Sequence, residues 1–191
     1  MSNSYHHGDL KNQLIEAGIQ MLQREGIEKL SLRKLAAVCG VSPAAPYSHF
    51  ESKEKLLEAM QEHVSRQLLQ CLQEAVKNCS EPNSPQAVAD IGKAYVMFFI
   101  EHPDYYTFLF SQPCAKIDLS MNSDSEDFPP FRYYRETACR IYRELGLPEE
   151  RIKYGIIGMW AKVHGIAAIA SMKYVIKDFE WADVLDKILK E

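Results

Sequence analysis

Apolar residues recur along this chain at helical spacing, and no stretch alternates as a strand would. Over residues 9–24, Leu10, Leu14, Ile15, Gly18, Met21 and Leu22 mark one face of a helix that Gly26 ends. Leu32, Leu35, Ala36 and Val38 form the apolar face of a short helix with Ser31 as its N-cap. A longer stripe of Leu56, Leu57, Met60, Val64, Leu68, Cys71 and Ala75 predicts a helix from Ser52 to about residue 77. The run Ser80-Glu81-Pro82-Asn83-Ser84-Pro85 breaks the pattern. Beyond it, Val88, Ile91, Tyr95, Phe98 and Phe99 define a helix ending near His102-Pro103, and a short aromatic helix follows over 104–111. Residues 112–128 are polar and acidic and read as a mobile loop. Pro129-Pro130 opens a helix that Gly146 closes, Pro148 starts another over 149–174, and a last amphipathic helix covers 181–189. The predicted class is all-α.

Residues 31–50, SLRKLAAVCGVSPAAPYSHF, carry the most information. Cys39-Gly40-Val41 stops the first short helix, with Gly40 able to adopt the left-handed conformation. Ser42 is placed to cap a second helix, with Pro43 at its first position. Two short helices around a glycine-containing turn form a helix-turn-helix, whose second helix enters the DNA major groove. Pro46 limits that second helix, because its ring approaches the carbonyl of residue 42 and disfavours helix at Ala45. A short, distorted reading helix is therefore expected. Next, Ser52 caps the long helix and Lys53 sits in its first turn. A cation there opposes the positive helix end, and an anion beside it would remove the conflict.

These residues resemble the TetR family of transcriptional repressors. The likeness rests on Ser31-Leu32-Arg33, Leu35-Ala36, Gly40-Val41-Ser42, Tyr47, His49-Phe50, Ser52-Lys53-Glu54 and Leu56-Leu57, with Tyr5-His6-His7-Gly8-Asp9-Leu10 as a similar lead-in. The resemblance implies a helix-turn-helix DNA-binding domain over 8–68. A long helix joins it to a C-terminal effector-binding and dimerisation domain over 69–191. It also implies phosphate contacts from Ser31, Tyr47, His49 and Lys53. Arg33 and Lys34 are the nearest candidates for polar base contacts. Ser42, Pro43 and Ala44 at the reading end are small and offer few donors, which suits thymine methyls better than guanine edges. Further on, Met159-Trp160-Ala161-Lys162-Val163-His164-Gly165 resembles the Trp-His-Gly subgroup of the same family.

The net charge of −4 argues mildly against nucleic acid, but its distribution removes most of the objection. Residues 1–55 hold seven Lys/Arg against six Asp/Glu, so the excess acid lies in the remainder. Affinity would come from a few placed contacts and from dimerisation, not from a broad basic field. The composition, 47% hydrophobic and 25% charged, is that of a globular protein. With no membrane-length apolar run and no signal-peptide pattern, a cytoplasmic protein without membrane contact is expected. Five widely spaced cysteines with no C-x-x-C pair predict buried, reduced thiols and no metal site.

In the C-terminal half, Tyr95, Phe98, Phe99, His102, Tyr106, Phe110, Phe131, Tyr134, Trp160 and His164 are candidates either for core or for the lining of an effector pocket. Gly155, Gly158, Ala161, Gly165, Ala168 and Ala170 give one helix many small residues, which suggests a close helix approach. The family resemblance implies a dimer interface built from the last two helices, with Gly158, Gly165, Ala168, Trp181 and Leu185 as candidates. The chain has no G-x-S-x-G, P-loop, Rossmann or H-E-x-x-H pattern, so no catalytic residue and no cofactor are expected. The expected function is a homodimeric, ligand-responsive repressor on a palindromic operator, with double-stranded DNA and an unknown small molecule as partners. A helical protein-interaction module using the same surface without DNA is the alternative, and a small-molecule enzyme is a remote one.

Overall fold

The computed structural model describes residues 10–111, 116–121, 128–172 and 174–189, and divides between Val64 and Ser65 into two compact units. The lead-in at residues 5–9, Cys114 and most of the polar stretch 112–128 lie outside the described residues. Among the described residues all regular structure is helical: α1 (Leu10–Glu25), α2 (Leu32–Val38), α3 (Lys53–Asn78), α4 (Pro85–Glu101), α5 (Pro103–Ser111), α6 (Pro129–Glu144), α7 (Glu149–Ala170) and α8 (Trp181–Ile188). Two 3-10 segments, Ile27–Lys29 and Ala45–Ser48, complete the first unit.

The first unit is held by the apolar faces of α1 and α2 and the start of α3. Leu14, Ile19, Leu35, Phe50, Leu56 and Met60 are buried there. Gly18 lets these helices close up: a Cβ at that position would lie 3.1 Å from Met60 Sδ and 3.7 Å from Leu35 Cδ1. Ser31 caps α2 by accepting a hydrogen bond from Lys34 N at 3.3 Å. The far end of α2 is a Schellman closure, with Val41 N donating to Ala36 O (2.9 Å), Gly40 N to Ala37 O (3.3 Å), and Gly40 at φ +67°.

Two local expectations are corrected. Val38 was assigned to the apolar face of α2 but is 64% exposed. It lies about 240° around the helix from Leu32, off the face that Leu32, Leu35 and Ala36 share. Likewise, Ser42 does not cap an α-helix and Pro43 does not open one. Residues 43–44 form a turn, and the helical part begins only at Ala45, as a 3-10 segment whose N-cap is Ala44. Pro46 is the reason. It has no N–H to return to the Ser42 carbonyl, so that carbonyl accepts from Ala45 N at 3.0 Å instead. The next bonds keep the same tight step: Tyr47 N to Ala44 O at 3.1 Å and His49 N to Pro46 O at 3.0 Å.

In the second unit, α4 packs against α5, α6, α7 and α8. It is apolar most of the way round, burying Val88, Ile91, Tyr95, Val96, Phe98 and Phe99 among others. Ser84 caps it, accepting from Gln86 N at 3.2 Å, with Pro85 at the first helical position. α7 is one-sided: Ile152, Ile156, Val163 and Ala167 are buried, whereas Tyr154, Gly158, Ala161 and Ile169 are exposed. It ends at Ala170, short of the expected residue 174. Cys39, Cys71, Cys79 and Cys139 are free thiols, each half-buried where full burial was expected.

The contrast within α2 gives a direct stability test. Leu35→Ala empties a fully buried site and should cost about 2–5 kcal/mol, whereas Val38→Ala should stay within about 0.5 kcal/mol. Urea denaturation followed by circular dichroism would separate the two. Equal losses would show that the buried face of α2 is misplaced.

Candidate functional site

The candidate DNA-reading surface is built entirely in the first unit. Arg33, Ser42, Pro43, Ala44 and Tyr47 are exposed, Tyr47 at 57%. Ser31, His49 and Lys53 are half-exposed. Phe50, next to His49, is buried, and the two rings sit tilted with centroids 6.3 Å apart. The 3-10 winding presents Pro43 and Ala44 at the surface without long side chains in front of them, and Ser48 turns its hydroxyl back to Ala45 O at 2.7 Å. α2 packs against this segment, which sets the two elements of the motif relative to one another.

The cations divide into two kinds. Arg33 is exposed and has no ion pair among the described residues. Lys34 lies 3.5 Å from Glu25 Oε2. Lys53 donates from Nζ to the Ile27 carbonyl in the 3-10 segment after α1. The unfavourable cation at the start of α3 thus has a carbonyl partner inside the unit, and two ammonium protons remain for an outside acceptor. Ser52 caps α3 as expected, accepting from Lys55 N at 3.3 Å.

In the second unit the candidate pocket residues gather about two points, joined through Phe99, whose ring meets both Phe98 and Tyr95. His164 is the centre of the first. Its Nδ1 lies 2.9 Å from Tyr95 Oη and its Nε2 3.2 Å from Tyr106 Oη. A neutral imidazole has one N–H and one lone pair, so one tyrosine donates to it and the other accepts. Trp160 stacks on the imidazole and Phe110 meets it edge-on at 4.6 Å. Burial lowers the His164 pKa and raises those of Tyr95 and Tyr106, which keeps all three groups neutral. Phe98 and His102 instead form a second group with Tyr105, which stacks on His102 at 4.9 Å. The rings of the aromatic cluster are therefore in contact with one another.

An apolar crevice lies beside it. Leu72 of α3 and Ile91, Gly92 and Tyr95 of α4 form one wall. Tyr134 of α6 with Met159, Trp160 and Val163 of α7 form the other. Of the residues expected in a pocket, Tyr95, Tyr134 and Trp160 line it; Phe98, Phe99, His102, Tyr106, Phe110, Phe131 and His164 do not. Leu72, Ile91, Gly92, Met159 and Val163 went unsuspected, because aliphatic residues at helical spacing carry no sign of whether they meet a neighbour or a gap. Among the described residues, no group of His, Cys, Asp and Glu is placed to hold a metal. No described helix is long and apolar enough to cross a membrane.

The dimer candidates are also divided. Gly158 is exposed and Gly165 half-exposed, and a Cβ at either would meet no atom within 4 Å. Ala168 is half-exposed, and Trp181 packs edge-on against Phe179 at 5.0 Å. Leu185, by contrast, is fully buried beside Gln86, Ala89 and Lys93 of α4, with Lys93 paired to Asp186 at 2.6 Å. Its side chain is used within the protomer.

Residues 14–60 match the model of the bacterial regulatory proteins of the tetR family. The chain is 33% identical over 94 residues to the nucleoid occlusion factor SlmA of Haemophilus influenzae, covering 49% of this chain and 42% of that one. It is 34% identical over 68 residues to the nicotine-responsive transcriptional repressor HdnoR of Paenarthrobacter nicotinovorans, covering 36% and 35%. The chain thus spans less than half the length of these curated relatives. Over its whole length the fold is similar to a Rhodococcus protein of unknown function (TM-score 0.73, 22% identity, 99% of this chain and 96% of that one). It is also similar to the TetR-family regulator PfmR of Thermus thermophilus (TM-score 0.63, 16% identity, 93% and 95%).

His164 makes stability depend on pH in a predictable direction. Its folded pKa lies below the unfolded value of 6.5, so on acidification the unfolded chain takes up the proton first. The contribution of His164 is present above pH 6.5 and is lost as pH falls toward the folded pKa. Thermal melts at pH 7.5 and 5.5 should show a smaller acid loss in His164→Gln than in the parent. An identical loss in both would remove His164 as the cause.

Proposed function

We propose that this chain, whose residues 14–60 match the model of the bacterial regulatory proteins of the tetR family, is a member of that family and a cytoplasmic homodimeric DNA-binding transcriptional repressor released by a small-molecule effector. It is a regulator and not an enzyme. The observation that carries the reading is the construction of residues 31–53. A capped helix, a Schellman turn and a proline-built reading segment present small side chains between exposed or half-exposed Arg33, Tyr47, His49 and Lys53.

In this reading Ser31, Tyr47, His49 and Lys53 hold backbone phosphates and fix the register. Arg33 is the better-placed candidate for a base contact, since Lys34 is near Glu25. Ser42, Pro43 and Ala44 approach the groove floor, where small apolar groups meet thymine methyls. Two copies would occupy successive major grooves of a palindrome. The open face of α7 around Gly158 and Gly165 supports a second copy as its cover, with Ala168 and Trp181 at its margins. An effector acts by binding one conformation of the dimer better than the other.

Selection of bound duplexes from a random pool, followed by binding of the selected site over a salt series, tests the reading. Lys53→Ala should weaken binding about equally on all sequences and flatten the salt slope by roughly one unit. Because Lys53 also holds Ile27, its melting temperature should be compared in parallel. A normal salt slope would remove Lys53 from the phosphate contacts, and failure to enrich any site would overturn the reading.

Gly158→Leu tests the dimer. A Cβ there meets nothing in its own chain, so the variant should keep its helix content. Sedimentation should find it monomeric, with weakened operator binding. A folded dimer of normal affinity would place the second copy on another face.

A further inference from the structure

We infer that the reading segment recognises the C5-methyl group of a pyrimidine without distinguishing thymine from 5-methylcytosine, so that cytosine methylation within the operator raises affinity. This rests on the reading that Ser42, Pro43 and Ala44 approach base edges, and adds a mode of regulation to that surface.

Residues 42–48, Ser-Pro-Ala-Ala-Pro-Tyr-Ser, include no Arg, Lys, Asn, Gln, Asp or Glu. Those are the side chains that pair with base edges in a way that names the base. Of the three hydroxyls in this run, that of Ser48 donates to the Ala45 carbonyl at 2.7 Å, and that of Tyr47 is assigned above to a phosphate. The Ser42 hydroxyl turns to donate or to accept, so thymine O4 and cytosine N4 suit it equally.

The backbone offers little more. Pro43 and Pro46 carry no N–H. Ala45 N and Tyr47 N already donate to the Ser42 and Ala44 carbonyls at 3.0 and 3.1 Å. The Pro46 carbonyl accepts from His49 N and Phe50 N at 3.0 and 2.9 Å. Ala44 N is the remaining backbone donor over 43–47, and it can meet one base at most. Exposed Pro43 and Ala44 therefore present hydrocarbon, with almost nothing beside it that reads a hydrogen-bond pattern.

Thymine and 5-methylcytosine carry the same methyl group at C5 and differ at the 4-position, where O4 accepts and the N4 amine donates. Side chains this short leave space for water at that position, so either group keeps a hydrogen bond. The methyl group is then what alters the contact. Uracil and cytosine lack it, and burying one methyl against hydrocarbon is worth about fourfold in affinity.

The test uses the full chain and the duplex selected from the random pool. At each thymine of the half-site, in both half-sites together, T·A is replaced by U·A, by C·G and by 5-methyl-C·G, and affinity is read by fluorescence anisotropy. At one thymine position or more, U·A should weaken binding about fourfold per half-site, and 5-methyl-C·G should bind about fourfold per half-site tighter than C·G. Pro43→Gly or Ala44→Gly should bring both ratios toward one. Disorder in the turn weakens all the duplexes alike, so the ratios still report the methyl contact. The inference is overturned if the selected half-site holds no thymine, or if uracil binds as thymine does at every position. It is also overturned if methylation of cytosine fails to raise affinity where uracil is penalised, or if both ratios persist in both variants. In each of these cases a site has been selected, so the DNA-binding reading stands. Failure to select any site overturns that reading and the methyl contact together.

Discussion

The arrangement of the larger unit follows from a helix that is apolar almost all the way round. α4 cannot leave a face in water without exposing large side chains, so α5, α6, α7 and α8 cover it. Each fully buried side chain such as Phe99 is worth about 1.5–3 kcal/mol. That burial brings one polar atom with it. Tyr95 is a phenol on the covered face, and its hydroxyl must find a partner. His164 supplies it from α7, and Tyr106 from α5 completes the imidazole's second bond. The hydrogen-bonded triad thus ties three helices together at one point, in a way that apolar packing, which tolerates sliding, does not.

The same commitment shapes the crevice next to it. With Tyr95 turned to His164 and Tyr134 turned to the Ile156 carbonyl, the polar ends of both rings leave the gap and their apolar flanks face it. Its apolar character is a consequence of satisfying buried hydroxyls elsewhere. Gly92 lets α7 close on α4, since a Cβ there would lie 3.0 Å from Val163 Cγ1. In the first unit the governing constraint is the missing N–H of Pro46. It converts an expected α-helix into a 3-10 segment and leaves Pro43 and Ala44 in an exposed turn. Small side chains on a tight backbone allow close approach to a groove. They make few hydrogen bonds, so in the proposed DNA-bound state register would come from flanking residues such as Tyr47 and Lys53.

Most helix bounds were legible because caps and breakers act locally. Ser31 and Ser52 cap, Gly40 and Gly146 close, and the Pro129-Pro130 pair opens, each through the backbone of a few neighbouring residues. The winding of the reading segment was legible only in part. Pro46 announced a distortion, but whether the Ser42 carbonyl would be met from position 45 or left to a side chain is a competition between near-equal local bonds. The candidate site was less legible still. Lys53 read as a cation needing an anion, because its partner, the Ile27 carbonyl, is twenty-six residues away.

By itself the sequence determined the all-helical class, the position of the turn at Gly40 and the residue types on either side of it. These depend on side-chain periodicity and on hydrogen bonds between near neighbours, which a linear pattern records. Tertiary structure decided which aromatic residues became filled core and which became wall, that Leu185 would be used inside the protomer while Gly158 stayed open, and that the gap beside Tyr95 would be free of polar groups. Those outcomes turn on which side chain from a distant helix arrives at each position, and on where a buried hydroxyl finds its partner.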